Sequence, residues 1–477
     1  MDPVARQKRE LGVLLRSVVK VLCVSDASDY EQPWQTAGSE NSTGSGAIVE
    51  TSRGLRVLTN AHCVENHVYV EVRRYGKARK YAADVEIIGH ECDLALIEVA
   101  DPSFFAGTVP IQLGSLPHLS DKVSVCGYPI GGERLSITQG IVSRIDLVHY
   151  AQTQRRLLAV QIDAAINSGN SGGPVLKDGR LVGIAFQALD EAEKIGYMIA
   201  VPVIEHFLED VEDGIYDGFP SLGALVQHLE SPSHRRALGL PDDQDAGVLV
   251  TKTCWGSSCW GVLERGDVLL EIDGVPVGAD GTVLLREGEI VDFAYAFARQ
   301  HVGGTCKVKL WRRGSELECV LPLRAPRPLV PEDRYDVRPT YFIFGGLLFV
   351  PLTKNYLQTY DDPWWQTAPR DLMAHYDHGW PSPERQEVVI LQKVLADRVN
   401  QGYHDFESTI VLSVDGVAVR SVAHLVEIFE LGEGRFIRIE TEHGEQVVID
   451  RKLALERQAP IFERYGVPAD RSDDLID

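Results

Sequence analysis

The stretch AINSGNSGGP at residues 165–174 decides how the rest of the chain is interpreted. It places Ser171 among glycines, and a serine hydroxyl is a good nucleophile only beside a general base and hydrogen-bond donors for the oxyanion it creates. Glycine adopts positive φ at no steric cost, so Gly169 and Gly172 allow neighbouring N–H groups to converge on one point. We therefore predict a nucleophilic Ser171 with an oxyanion hole formed by the backbone of Gly169, Asn170 and Ser171. A surface glycine turn that happens to hold a serine is the alternative.

A serine nucleophile needs partners, and two candidates lie upstream. His62 follows an apolar strand in VLTNAHCV at residues 57–64. Asp93 opens an almost wholly apolar strand in ECDLALI at residues 91–97. Taken alone, His62 is explained as a structural histidine, and Asp93 is explained as a cap at the start of a strand. The order His, Asp, Ser is that of chymotrypsin-type enzymes and differs from the subtilisin and α/β-hydrolase orders, so together they predict a catalytic triad.

The strand pattern predicts the fold around these residues. Short apolar runs separated by turns, without intervening helices, occupy residues 18–100 and again residues 122–201. This spacing predicts a mainly β protein with two closed barrels, in a protease domain at residues 1–217. Since His62 and Asp93 fall in the first set and Ser171 in the second, the predicted active site is the cleft between the barrels.

A substrate pocket is expected beside Ser171. Its candidate walls are Ile166 on one side and Ile184 with Phe186 on the other. No acidic residue is placed to receive a basic side chain. We therefore expect a pocket for an apolar side chain.

Three short blocks are similar to the catalytic blocks of the HtrA/Deg serine proteases: TNAH at 59–62, DLAL at 93–96 and GNSGGP at 169–174. Two further stretches resemble more narrowly the plant-type Deg proteases, which carry a protease domain and two PDZ domains: GYPIGG at 127–132 and IDAAINSG at 162–169. The likeness extends to RYGVPADRS at 464–472, so it covers nearly the whole chain.

The resemblance implies an ATP-independent serine endopeptidase that uses no cofactor. It implies cleavage of unfolded or damaged proteins after small or medium aliphatic residues, in protein quality control. It also implies that the loops at 129–140 and 187–196 switch between ordered active and disordered inactive forms. Relatives form homotrimers around N-terminal aromatics and hexamers through the second PDZ domain, so Trp34 and the apolar run at 342–352 are expected at subunit contacts.

The C-terminal half contains two modules that resemble PDZ domains, so the full expectation is a chymotrypsin-like double β-barrel followed by two PDZ-like α+β domains. The first is predicted at 218–325, where an alternating strand precedes a strand and Asp-Gly turn. A PDZ domain adds a peptide as an extra strand to a sheet edge, so we expect peptide segments to bind there. A β-rich domain without a ligand is the alternative.

The second PDZ-like domain is predicted at 339–457, because residues 410–417 repeat the strand and Asp-Gly pattern. The proline- and charge-rich segment at 326–338 is interpreted as a linker, and residues 458–477 as a C-terminal tail. A long segment precedes the repeated strand, which leaves peptide binding by this domain an open question.

Composition limits the partners. The 477-residue chain carries 47 Lys and Arg against 69 Asp and Glu, a net charge of −22. Such a surface repels nucleic acid and anionic membranes, so neither is expected as a partner. No apolar run approaches the length of a membrane span, and no small-residue cleavage site follows the basic N-terminus, whose first residues we interpret as an amphipathic segment. A cytoplasmic location is predicted, with the periplasm, an organelle or the nucleus as alternatives.

No metal site is expected. The eight cysteines are dispersed through apolar patterns, as buried thiols of a reducing compartment are. Cys254 and Cys259 have no second cysteine or histidine pair nearby in the sequence. A helix is predicted at 203–213, and His206 within it is interpreted as a helix-face residue rather than a ligand.

Two rival functions remain at this stage. A holdase chaperone would use the same fold to bind unfolded chains without appreciable cleavage. A scaffold built from the PDZ modules would bind ligands but would not react with an active-site serine reagent. The intact His62, Asp93 and Ser171 favour the endopeptidase.

Overall fold

A computed structural model of this chain describes residues 12–129, 132, 134–150, 153–167, 169–188, 196–241 and 246–476. The chain divides into two compact units, one of residues 1–25 with 39–326 and one of residues 26–38 with 327–477. The predicted amphipathic segment before residue 12 lies outside the described residues. So do parts of the two loops expected to switch, at 129–140 and 187–196.

Six strands form a first closed barrel: β1 (Val18–Ser28), β2 (Thr36–Thr51), β3 (Gly54–Thr59), β4 (His67–Arg74), β5 (Lys80–Gly89) and β6 (Leu94–Glu98). They follow the order β1-β2-β3-β6-β5-β4, and β4 pairs with β1 to close the barrel. Alternate side chains point inward, as in any strand. Val19, Val21, Val70 and Val72 are therefore all buried in one core.

Six more strands form a second closed barrel: β7 (Lys122–Gly127), β8 (Ser136–His149), β9 (Arg156–Ile162), β10 (Pro174–Lys177), β11 (Arg180–Ala188) and β12 (Gly196–Ala200). Their order is β10-β11-β12-β9-β8-β7. Asp178 and Gly179 both adopt positive φ in the tight turn between β10 and β11. The two barrels confirm the predicted mainly β, trypsin-like fold.

A helix follows the last strand of the second barrel. Helix α1 (Val201–Asp210) has Pro202 in its first turn and continues as a 3₁₀ turn to Asp213, where Gly214 ends it with positive φ. The helix predicted at 203–213 thus begins two residues earlier in the structure. None of the helices in the described part of the chain is long and apolar enough to cross a membrane.

The same unit continues into an α+β module. Its elements are β13 (Ala224–His228), α2 (Pro232–Ala237), β14 (Val248–Thr253), β15 (Val268–Ile272), β16 (Val275–Pro276), β17 (Thr282–Arg286), β18 (Glu289–Asp292), α3 (Ala294–Ala298), β19 (Thr305–Arg312) and β20 (Ser315–Pro322). The main sheet runs β13-β14-β15-β19-β20. One hydrophobic core extends from the second barrel into this module.

The second unit is built on one sheet with the order β21-β22-β23-β24-β26-β27. Its elements are β21 (Phe342–Phe344), β22 (Leu347–Pro351), α4 (Lys354–Leu357), α5 (Trp364–Thr367), α6 (Arg370–His378), β23 (Val389–Val394), β24 (Thr409–Val414), β25 (Val417–Ala418), α7 (Val422–Leu431), β26 (Phe436–Thr441), β27 (Gln446–Asp450) and α8 (Arg451–Tyr465).

The apolar run at 342–352, which was expected to contact a second subunit, belongs to the core of its own unit. Every residue of the run is buried within its own unit, where β21 and β22 pair as a hairpin. Phe342 and Phe344 both pack edge-on against Phe429 of α7. The hydrophobicity of the run is therefore explained by the core of this domain.

Segments at both ends of the second unit also belong to its core. Leu329 and Val330 in the predicted linker are buried, and so is Ile461 in the predicted tail. Trp34 is half-buried against Tyr341, with ring centroids 5.9 Å apart in an edge-to-face arrangement. The aromatic ring expected in a trimer core thus has a packing partner in its own chain.

The two barrels meet closely at Gly172, which has φ +80. A side chain there would collide with the carbonyl oxygen of Ser45 and the hydroxyl of Thr59, and would lie 3.1 Å from the backbone nitrogen of Asn60. These atoms belong to β2, β3 and the residue after β3. The glycine therefore allows the loop that holds Ser171 to lie directly against the first barrel.

We expect Gly172→Ala to destabilise the protein more than Gly76→Ala does. Gly76 has a similar φ of +68 but has nothing within 4 Å of an added side chain, so only the left-handed backbone is penalised, by about 1–2 kcal/mol. At Gly172 the collision with backbone atoms adds to the same penalty. Thermal unfolding of the two variants measures the difference. Equal losses of stability would show that the barrels can separate at this point without cost.

Candidate active site

His62 lies in a 3₁₀ turn, Ala61–Cys63, that directly follows β3. Its backbone N–H donates to Asp93 Oδ1 at 3.0 Å, and its ring Nδ1 lies 2.8 Å from Asp93 Oδ2. The side chain is 21% exposed. The imidazole is thus held through one nitrogen, and Nε2 is left for a reacting group.

Asp93 is fully buried and is fixed on both sides by hydrogen bonds. It adopts a left-handed conformation, with φ 54, which is uncommon for a residue other than glycine. Its N–H donates to the His90 carbonyl at 3.0 Å, and its own carbonyl accepts from the Asn60 side chain at 2.8 Å. These contacts aim the carboxylate at His62.

The electrostatics of the pair favour a protonated imidazole. Burial by itself lowers the pKa of His62, but the Asp93 carboxylate, with a smaller contribution from the Cys63 thiol, raises it by more. The pKa of His62 therefore lies well above its ordinary value. The pair has the arrangement in which a carboxylate stabilises an imidazolium formed during a reaction.

The backbone of Ser171 lies next to Ser45 and to Cys63, the residue after His62. Its carbonyl accepts from the Ser45 N–H at 2.8 Å and lies 3.6 Å from the Cys63 sulfur. Its hydroxyl is 3.5 Å from the Phe186 carbonyl, which is long for such a bond. Between Ser171 and His62, both described, the structure records no hydrogen bond. Such bonds are often long in free enzymes and tighten when substrate binds.

The backbone groups of the predicted oxyanion hole differ in their conformation and hydrogen bonding. Gly169 has positive φ, +94, as the prediction requires. The Asn170 N–H differs, because it donates to the Asn167 carbonyl at 2.9 Å within a tight turn. Among the described residues none accepts from the N–H of Gly169 or of Ser171. These two groups are therefore the donors that remain for an oxyanion.

The three predicted pocket residues have different environments. Ile184 and Phe186 are fully buried in the second barrel, where the Phe186 ring packs on Tyr150 with centroids 4.6 Å apart. Both belong to the stretch 181–186 of β11, in which every residue is buried. Ile166 is half-buried and lies against Gly196. Ile166 is thus the member of the three that presents a side chain at the surface.

The sequence interpretation missed the role of Ser45. Its hydroxyl donates to the Gly169 carbonyl at 2.7 Å and accepts from the Tyr128 N–H at 2.8 Å. It therefore ties the nucleophile loop to β2 and to the residue after β7. The sequence GSG at 44–46 carried a signal, since small residues mark a close approach of backbones.

Comparisons with known proteins agree with this architecture. A family model described as a trypsin-like peptidase domain matches residues 44–184, and one described as a PDZ domain matches residues 330–474. The PDZ match falls on the second unit. The solved structure of the HtrA-type protease AlgW with a tripeptide has a TM-score of 0.52 and 23% identity, covering 67% of this chain and 98% of that one, which supports the fold.

Two relatives from Arabidopsis thaliana match over almost the whole chain. Protease Do-like 2, chloroplastic, is 38% identical over 467 residues, which cover 97% of this chain and 76% of the relative. Putative protease Do-like 3, mitochondrial, is 37% identical, with coverage of 98% and 81%.

The cytoplasmic location predicted from the sequence is wrong. Protease Do-like 2 is named as chloroplastic, and Do-like 3 and Do-like 4 of the same plant are named as mitochondrial, which points to an organelle. With 38% identity to a Do-like protease along 97% of its length, and with a trypsin-like barrel pair and a PDZ domain in one chain, this protein belongs to the HtrA/Deg family of serine proteases and is a serine endopeptidase.

Proposed function

We propose that His62, Asp93 and Ser171 form the catalytic triad of an ATP-independent endopeptidase. The observation that carries this proposal is the His62 ring, held by Asp93 at 2.8 Å beside the loop of Ser171. His62 takes the hydroxyl proton as Ser171 attacks the peptide carbonyl, and Asp93 stabilises the imidazolium. His62 then protonates the leaving amine, and water hydrolyses the acyl-enzyme. The N–H groups of Gly169 and Ser171 stabilise the oxyanion.

The substrates are unfolded or damaged proteins, cleaved after small or medium aliphatic residues for protein quality control. The apolar Ile166 near the nucleophile supports this specificity, and the resemblance to the HtrA/Deg family supports the role. The first module, at 218–325, acts as a PDZ domain that binds peptide segments. Its sheet ends at β13, where Leu225 is 48% exposed, and such an edge can accept an added strand.

Binding without cleavage is the second candidate. It is favoured by one observation: the Ser171 hydroxyl lies near the Phe186 carbonyl, with no hydrogen bond to His62. In that arrangement the serine is not activated. A holdase chaperone, or a scaffold that only displays peptides, would keep it when substrate is bound.

We expect Ser171→Ala to abolish cleavage of an unfolded model protein. Loss of a triad member lowers kcat by roughly 10⁴–10⁶-fold, while substrate binding survives. Gel analysis of a permanently unfolded protein, with binding measured in parallel, checks this. Ser143→Ala, at an exposed serine on β8, is the control and should cleave normally. Slow cleavage that is the same in wild type and Ser171→Ala would favour the holdase.

We expect the peptidase activity to fall as pH decreases through the raised pKa of His62. Since the neutral imidazole is the active form, the midpoint of kcat/KM should lie above the ordinary histidine value of about 6.5. Asp93→Asn removes the charge that raises this pKa, so its midpoint should move down and its kcat should fall by roughly 10⁴-fold. Cleavage of a short peptide across pH measures both. A profile that is flat around the histidine range would exclude His62 as the base.

The enzyme assembles as a homotrimer or as a hexamer made of two trimers, a proposal supported by the resemblance to the HtrA/Deg family. Multi-angle light scattering should therefore give a mass of three chains or six. If the exposed edge of Trp34 takes part, Trp34→Ala should lower the mass, whereas Trp365→Ala, at a tryptophan that is 57% exposed, should not. A monodisperse monomer at micromolar concentration would refute the assembly and leave the triad untouched.

A further inference from the structure

A cluster of two histidines and one aspartate in the first unit includes none of the three residues of the proposed triad. His206 and Asp210 belong to α1, four residues apart and thus on one face of the helix. His301 follows α3 in the next module. One potential ligand atom from each lies within 4.8 Å of the others.

His206 has a ring nitrogen without a partner in a buried position. The residue is only 4% exposed, and its Nε2 lies 3.2 Å from the Gly218 carbonyl. A carbonyl can only accept, so Nε2 carries the proton and Nδ1 carries a lone pair. No described residue forms a hydrogen bond with Nδ1. The lone pair on Nδ1 is therefore available to a metal ion.

The Asp210 carboxylate is also held in place by a hydrogen-bonded atom. Its Oδ2 accepts from the N–H groups of Asp217 and Gly218, at 2.9 and 3.0 Å. Its Oδ1 lies 3.9 Å from Nδ1 of His301, and the side chain is only 4% exposed. One oxygen thus anchors the carboxylate to the loop after α1, and the other faces the histidines.

His301 carries an outer partner of the kind that metal-bound histidines have. Its Nε2 lies 3.3 Å from Glu209 Oε2, and its Nδ1 faces Asp210. A carboxylate on the far nitrogen fixes the tautomer and makes the near nitrogen a better ligand. The rings of His206 and His301 are stacked, with centroids 4.2 Å apart. The side chains of His301 and Glu209 are 43% and 68% exposed, so the pair can move together until both Nδ1 atoms face one ion.

We propose that Nδ1 of His206, Oδ1 of Asp210 and Nδ1 of His301 bind a divalent transition-metal ion, for which zinc is the best match. Two imidazoles and one carboxylate form a common zinc ligand set, with the fourth position left for water. The ion joins α1 of the protease domain to the module at 218–325. Neither the helix pattern nor the histidine spacing indicated this site, because His301 lies in a different domain.

Zinc titration of the metal-free full chain tests the site. The Ser171→Ala background prevents self-cleavage, and a reductant keeps the cysteines as thiols. Calorimetry should show one zinc ion bound per chain. The affinity for zinc should be at least 10-fold lower in His301→Asn. Glu209→Gln should weaken binding roughly 10-fold, the usual effect of removing an outer partner. His228→Asn, at an exposed histidine of the same module, is the matched control and should bind as the parent does.

Two further measurements keep the result unambiguous. Asp210→Asn retains an oxygen for the N–H groups of Asp217 and Gly218, so it should fold normally and still lose the ion. Cobalt(II), used in place of zinc, should give a spectrum without thiolate charge-transfer bands, which excludes binding by cysteines. If the parent chain takes up no stoichiometric zinc, or if His301→Asn and Asp210→Asn bind it as tightly as the parent, the cluster is a packing contact and the proposal is wrong.

Discussion

The geometry of the active site depends on one close approach between the two barrels. The N–H of Ser45 donates to the Ser171 carbonyl, and the Ser45 hydroxyl donates to the Gly169 carbonyl. A single residue of β2 therefore holds the nucleophile turn at two points. Gly172 makes these bonds feasible, since a side chain there would occupy the space of the Ser45 carbonyl. Without this contact His62 and Ser171, which belong to different barrels, would have no fixed separation.

The same junction holds the pair formed by His62 and Asp93 and so sets the charge environment of the imidazole. Asp93 is buried, and a buried carboxylate is tolerated only when it is hydrogen-bonded and paired. Both the backbone and the ring of His62 supply that pairing. The consequence is an imidazole with a raised pKa and a fixed orientation. The serine side chain is less constrained, because its hydroxyl makes only a long contact with Phe186.

The module after the protease domain is bound to it through α1 and the loop that follows. The His206 ring stacks on Phe219 at 4.0 Å and on His301 at 4.2 Å, so it lies between the end of the protease domain and the next module. Arg286 of this module donates to the carbonyls of Leu116 and Pro117 on the other side. A ligand at the His206 cluster would strengthen a junction that already exists in the packing, in a unit with one continuous core.

The sequence by itself determined the features that have local causes. The glycines around Ser171 require a turn, the alternating apolar residues require strands, and Pro202 and Gly214 limit α1, because each effect acts within a few residues. The spacing of the strands predicted the two barrels, and the order of His62, Asp93 and Ser171 predicted a catalytic triad.

Only the tertiary structure decided what depends on contacts between distant segments. It directed Ile184 and Phe186 into the core and buried the apolar run at 342–352 within its own domain. It also placed Trp34 on Tyr341 and His301 beside His206. A sequence pattern shows that a side chain is apolar or can bind a ligand. Which group it meets is fixed by how the strands pair and how the domains pack, and that information is spread over the whole chain.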